Sequence, residues 1–253
     1  VPIGLGAAVV VGALVIGTQF VGAGVNRISD HASFVGAFSS DNLVLAAGSF
    51  AGDNATPALL NGTVAWSGGQ FTGTWGVAAG QTLAAQDGAD KNFFGTNFTN
   101  QGTVAWQSTE RVGFISSSVA NEGLWDMQAD ANLIYAGGSA SNFINTGTFR
   151  KSAGAGSTVI SSNVVFTNSG IVDAQAGTID FAGGNAVFLA GTQFTGAGVN
   201  RVSNNAGFVG AFSSSNLVLA AGSFAGDNTT PALVKGTVTW SGGQFTGTWG
   251  VAA

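Results

Sequence analysis

A five-residue pattern, apolar-x-Asn-x-Gly, recurs through the middle of this chain and sets the terms for any fold. It stands at Phe98 to Gly102, Val119 to Gly123, Phe143 to Gly147 and Phe166 to Gly170, with the glycines 21, 24 and 23 residues apart. A unit of this size cannot bury a core alone, so neighbouring units must stack. Leucine-rich repeats have similar periods but need a Leu-x-x-Leu-x-Leu signature that is missing. A propeller blade needs about 40 residues, which suits the 40 between Gly62 and Gly102 but not the next three spacings. Composition excludes a helical solenoid, because only 8% of residues are charged while 41 of 253 are Gly. Water-facing helices need more charge than that. The expectation is an all-β, parallel β-helix (β-solenoid) with coils of about 20–24 residues.

The residues after each glycine alternate as strands do. At the second and fourth positions stand Val64/Trp66, Val104/Trp106, Trp125/Met127, Phe149/Lys151, Val172/Ala174 and Val238/Trp240, which are assigned to the interior. Lys151 breaks that series and is expected to mark a strand end. The first and third positions are more polar and are assigned to solvent. Stacking then puts Asn100, Asn121, Asn145 and Asn168 above one another about 4.8 Å apart. Each amide can donate to one neighbouring coil and accept from the other, an asparagine ladder. The glycine two residues later is expected to supply a turn with positive φ. Asp126, Arg150 and Asp173 should stack as a surface charge ladder, negative, positive, negative, which sets register more than it stabilises.

A longer duplication overlies the short period. Residues 18–79 and 192–253 are near copies at an offset of 174, differing at ten of 62 positions. About 22 residues per coil gives the 174-residue unit about eight coils, a rise on the order of 38 Å. The offset extends upstream, since residues 14–17 (LVIG) fall opposite 188–191 (FLAG). The apolar N-terminus is therefore read as one more layer. As a membrane span it is too short and is interrupted by Gly4, Gly6, Gly12 and Gly17. The whole chain, 1–253, reads as one continuous solenoid and a window on a longer array.

The runs FINTGTFRKSAGAGSTVI and FTNSGIVDAQAGTIDFAGG resemble the repeats of very large bacterial exoproteins of the filamentous-haemagglutinin and autotransporter-adhesin type. The likeness is clearest over residues 96–191. It implies a right-handed β-helix, secretion to the bacterial cell surface, and a role in adhesion, biofilm or surface structure. It brings no catalytic residues.

The chemistry legible in the residues is sparse. The single histidine, His31, is Asn205 in the second copy, and its neighbour Asp30 is Asn204, so a turn role is expected over catalysis. Asp41 becomes Ser215 in the same way. Asp53 and Asp227 are retained in loops with turn chemistry, but one carboxylate per loop is thin for calcium. No cysteine offers a disulfide or a thiolate metal site. No metal or cofactor is expected. The formal charge of −5 argues against nucleic acid. Four Asn-x-Ser/Thr tripeptides, at Asn54, Asn61, Asn97 and Asn228, permit glycosylation without requiring it. The expected role is an extracellular structural or adhesive fibre, not an enzyme, with copies of itself and cell-surface glycans as partners. The rival classes are a polysaccharide lyase or hydrolase using Asp126 and Asp173, and an ice-binding solenoid using Thr63, Thr103, Thr148 and Thr237. Arg150 between the two aspartates disfavours the first, because it holds both ionised. Leu124 and Ile171 interrupt the second.

Overall fold

A computed structural model describes residues 2–3 and 13–252. They form a β-solenoid of about 11 turns with no helix, and every strand pairing is parallel. Each coil contributes a strand to each of three columns. The first column includes Gln19–Phe20, Ser118–Asn121, Ser141–Asn145, Val164–Asn168 and Ala206–Phe208. The second includes Asn26–Ile28, Thr82–Ala85, Leu124–Met127, Thr148–Lys151 and Gln193–Thr195. The third includes Ala32–Phe34, Ser49–Gly52, Val112–Ile115, Thr178–Phe181 and Val199–Val202. In-register partners are most often 20–24 residues apart. The extremes are 17 at Asn26↔Leu43 and 27 at Leu133↔Ile160, where the corner loops shorten or bulge.

Alternation builds the core. Val104, Trp106, Trp125, Met127, Phe149, Val172 and Ala174 are all fully buried, as the strand period requires. The rings join into a continuous series up the rod. Phe93, Phe114, Phe143, Phe166, Phe181, Phe188 and Phe208 follow one another with centroids 5.0–6.3 Å apart. Such pairs add about 0.5–1.5 kcal/mol beyond their area. Lys151 does not turn out of this register. It occupies the last position of its strand, yet its side chain runs inside and is fully buried.

The corner glycines work differently from the sequence expectation. Gly102, Gly123, Gly147 and Gly170 are not among the glycines with positive φ. Their requirement is steric: a Cβ on Gly147 would overlap the carbonyl oxygen of Gly123, and one on Gly170 that of Gly147. Coils pass so closely at this corner that only hydrogen fits.

The duplicated segments do not occupy equivalent columns. Following the pairings upward, the column of Gln19–Phe20 reaches Ala186–Phe188 after eight turns and continues to Ala206–Phe208. The counterpart of Gln19–Phe20, residues 193–194, instead lies in the second column, above Ile171–Ala174. Likewise 199–202, the counterpart of 25–28, stands in the third column above Thr178–Phe181. The unit is therefore eight turns and one column long, and the second copy is turned by about a third of a revolution. The N-terminal layer expected over residues 1–17 falls mainly outside the described residues, but Ala13–Leu14 pairs in parallel with residues 33–34.

Candidate functional site

The four asparagines end strands of the first column and point inward, each fully buried. Asn100 Nδ2 donates to Asn121 Oδ1 at 2.7 Å, Asn121 to Asn145 at 2.6 Å, and Asn145 to Asn168 at 2.5 Å. The same amides donate to the carbonyls of Leu124, Thr148 and Ile171 in the next coil, at 2.9, 3.0 and 3.1 Å. Their own backbone carbonyls accept from the next corner, as Asn121 O does from Thr146 N and Gly147 N. Every rung donates toward the C-terminal end. There the column closes on Thr192, whose hydroxyl accepts from Asn168 Nδ2 at 3.1 Å and donates to the Asn168 carbonyl at 2.9 Å. At its other end Asn100 Oδ1 has no donor, because Val77 lies beneath it in register.

Two further asparagine pairs escaped the sequence reading. Asn26 Nδ2 donates to Asn42 Oδ1 at 2.6 Å, and Asn200 to Asn216 at 2.7 Å. Asn42 and Asn216 in turn donate to the carbonyls of the facing glycine bends, Gly22 and Gly24 or Gly196 and Gly198. Their signal was present: both asparagines of each pair are kept in both copies.

Asp126, Arg150 and Asp173 stand in register in the second column. The stack negative, positive, negative is therefore present, but only one of its two steps is an ion pair. The Arg150 Nε donates to Asp173 at 3.0 Å, and Asp173 also accepts from Gln175 and Thr195. Asp126 accepts from Gln128 at 2.9 Å instead, its Oδ1 has no partner, and it forms no ion pair with Arg150. Both aspartates are largely covered by their neighbours. A second pair of this kind joins Arg201 to Asp180 at 2.5 Å, which raises the already high pKa of the guanidinium.

Two lysines enter the interior at opposite ends of strands. Lys151 Nζ meets Asp130 at 2.5 Å and the Ala153 carbonyl at 2.7 Å, and this hydrogen bond lowers the Asp130 pKa. Lys91 Nζ donates to the Ala89 carbonyl at 3.0 Å, lies 3.6 Å from Glu110, and sits 5.7 Å from the centre of the Trp106 ring. Burial pushes its pKa below the ordinary 10.5, against the opposing pull of Glu110.

The remaining candidates serve turns or the core. Asp30 Oδ1 accepts the His31 amide at 2.8 Å, and Asn204 does the same for Asn205. Hydrogen bonding to His31 lowers the pKa of the exposed Asp30. Asp53 Oδ1 accepts from Ala55 N and Thr56 N, as Asp227 does from Thr229 N and Thr230 N, so each loop is closed by its own carboxylate. Among the described residues no three metal-ligating side chains cluster. Trp66, Trp106 and Trp125 are fully buried and offer no face to a sugar, whereas Trp240, assigned to the interior with Val238, is 59% exposed in the last described coil. An open recess of about 500 Å³ between coils is lined by Asn185, Asn205 and Ser223 with small apolar residues, and holds no titratable group. No family model, curated protein or solved structure matches this chain.

Proposed function

We propose that this chain is a structural rod of the extracellular surface, a stiff solenoid that holds and displays its outer columns for adhesion or assembly. The unbroken inner file of rings, flanked by the asparagine column, carries the reading. In coil after coil the inward side chains serve the coil above and the coil below. The charged groups support the same use: Arg150, Lys151 and Arg201 are each bonded to a carboxylate of a neighbouring coil. The resemblance of residues 96–191 to bacterial exoprotein repeats supports placement at a bacterial cell surface. Cell-surface glycans and further copies of the chain are the partners it favours.

The test pairs shape with activity. Electron microscopy of the purified chain should show rods about 50 Å long, and immobilised chain should retain bacterial cells or arrayed surface glycans. Release of sugar fragments from a polysaccharide panel would overturn the reading in favour of a β-helix lyase or hydrolase. Rods that retain neither cells nor glycans and do not associate would overturn the adhesive and assembly roles together.

A further inference from the structure

Asn61-Gly62 is the only Asn-Gly dipeptide in the chain. Such a pair is self-reactive: the peptide nitrogen after an asparagine can attack its side-chain carbonyl carbon, and glycine leaves that approach unobstructed. The corner imposes the glycine. Gly62 adopts φ of +99°, and a Cβ on it would overlap the carbonyl oxygen of Ser40 in the coil below. The residue before it is under no such demand, since Gly236 meets the same two requirements in the second copy behind Lys235. Asparagine at 61 is therefore not required by the fold. It lies on the outer side of its strand, next to the buried Leu60, and is only half-buried, so water reaches it. The nitrogen that would attack it is held from above, because Gly62 N donates to Gln81 Oε1 at 2.6 Å. Gln81 ends a tight turn, closed by its amide on the Ala78 carbonyl at 3.0 Å with Gly80 at φ of +76°. The next residue, Thr82, pairs in register with Thr63. The nucleophile of the dipeptide is thus tied to the neighbouring coil.

We propose that Asn61 is a deamidation site and that Gln81 is its latch. A nitrogen bonded to Gln81 must leave that bond to turn on the side chain, so the reaction runs only when the corner between the two coils opens. The Gly62 nitrogen then attacks Asn61 Cγ and gives its proton to water, and the side-chain nitrogen leaves as ammonia. Water opens the resulting five-membered imide at either carbonyl, to aspartate or to isoaspartate. The net change is one water taken up and one ammonia released. Aspartate adds a negative charge at the corner. Isoaspartate adds one main-chain carbon to a strand that pairs residue for residue with the coil below, Phe38 with Leu60 and Ser39 with Asn61. The second product therefore displaces the register on which the pairing of Thr63 with Thr82 depends. Asn61 records how often this corner opens, and its isoaspartyl form loosens the join between coils.

The experiment ages the purified chain at mildly alkaline pH, digests it, and weighs the peptide carrying Asn61 for replacement of the side-chain NH2 by OH. The folded chain should convert at least about tenfold more slowly than the same chain unfolded in urea. Gln81→Met keeps the length of the side chain and removes the acceptor oxygen. It should speed conversion in the folded chain by about three- to tenfold, the worth of one hydrogen bond. Amide exchange over residues 118–174 checks that the variant keeps its rod, and Gln81→Ala repeats the comparison if Gln81→Met disturbs it. Equal rates with and without the Gln81 oxygen overturn the latch. Conversion of the folded chain as fast as in urea, or none in the folded variants while the unfolded chain converts, overturns the site itself.

Discussion

At the residue scale, the buried polar groups decide more than the core does. Each asparagine of the first column is fully buried, so a missing partner costs the full desolvation of the group left behind. Asn145→Leu strands one amide hydrogen of Asn121 and the Oδ1 of Asn168. It should lower stability by about 2–4 kcal/mol, read as a reduced urea midpoint. Lys91 presents the reverse case. Its folded-state pKa is below 10.5, so the folded state carries an ammonium that burial disfavours. As pH rises toward 10.5, the unfolded chain holds that proton longer and the folded state gains. Lys91→Met should therefore flatten the alkaline rise, checked by denaturation between pH 7 and 10.5. The asparagine column was legible in the sequence because its members recur at one position of a clear period. The roles of Lys91 and Lys151 were not, because each reaches its partner through a corner loop whose path the strand pattern does not encode.

At the element scale, the corner after each asparagine is the tightest point of the coil. Gly147→Ala drives a methyl into the backbone of Glu122 and Gly123 one coil below. Neither strand can yield without breaking its register, so the substitution should cost about 1–3 kcal/mol and raise the exchange rate of Ser118–Asn121 and Ser141–Asn145 amides together. Gly62 precedes the second-column strand in the first copy, its counterpart Gly236 stands one corner further round the coil, and the two adopt φ of +99° and +91°. Those two glycines meet both demands, backbone conformation and close approach, since a Cβ there would also overlap the carbonyl oxygen of Ser40 or of Ser214, whereas Gly102, Gly123, Gly147 and Gly170 meet close approach alone. The spacing Asn-x-Gly revealed that glycine was needed. Only the path of the adjacent coil shows why.

At the scale of the whole molecule, the long repeat and the coil are out of step by one column. Residues 53–57 bridge the third and first columns, whereas residues 227–231 bridge the first and second. The two AGDN loops therefore face different sides of the rod, separated by about 40 Å along it. Since the chain has no cysteine, Ala55→Cys and Thr229→Cys can carry spin labels. Their separation should exceed the axial distance, because the lateral offset across the rod adds to it in quadrature, and a value equal to the axial distance would place both loops on one side and remove the rotation. By itself the sequence determined the parallel coil and its inward positions, because hydrophobic alternation and a repeated corner leave a short segment nothing else to pack against. It also determined that Asn100, Asn121, Asn145 and Asn168 meet. Tertiary structure decided the rest: that Arg150 turns to Asp173 and not Asp126, that two lysines lie inside, and that near-identical segments face different ways. Orientation is the sum of every corner's length, from 17-residue to 27-residue coils, and no local pattern records a sum.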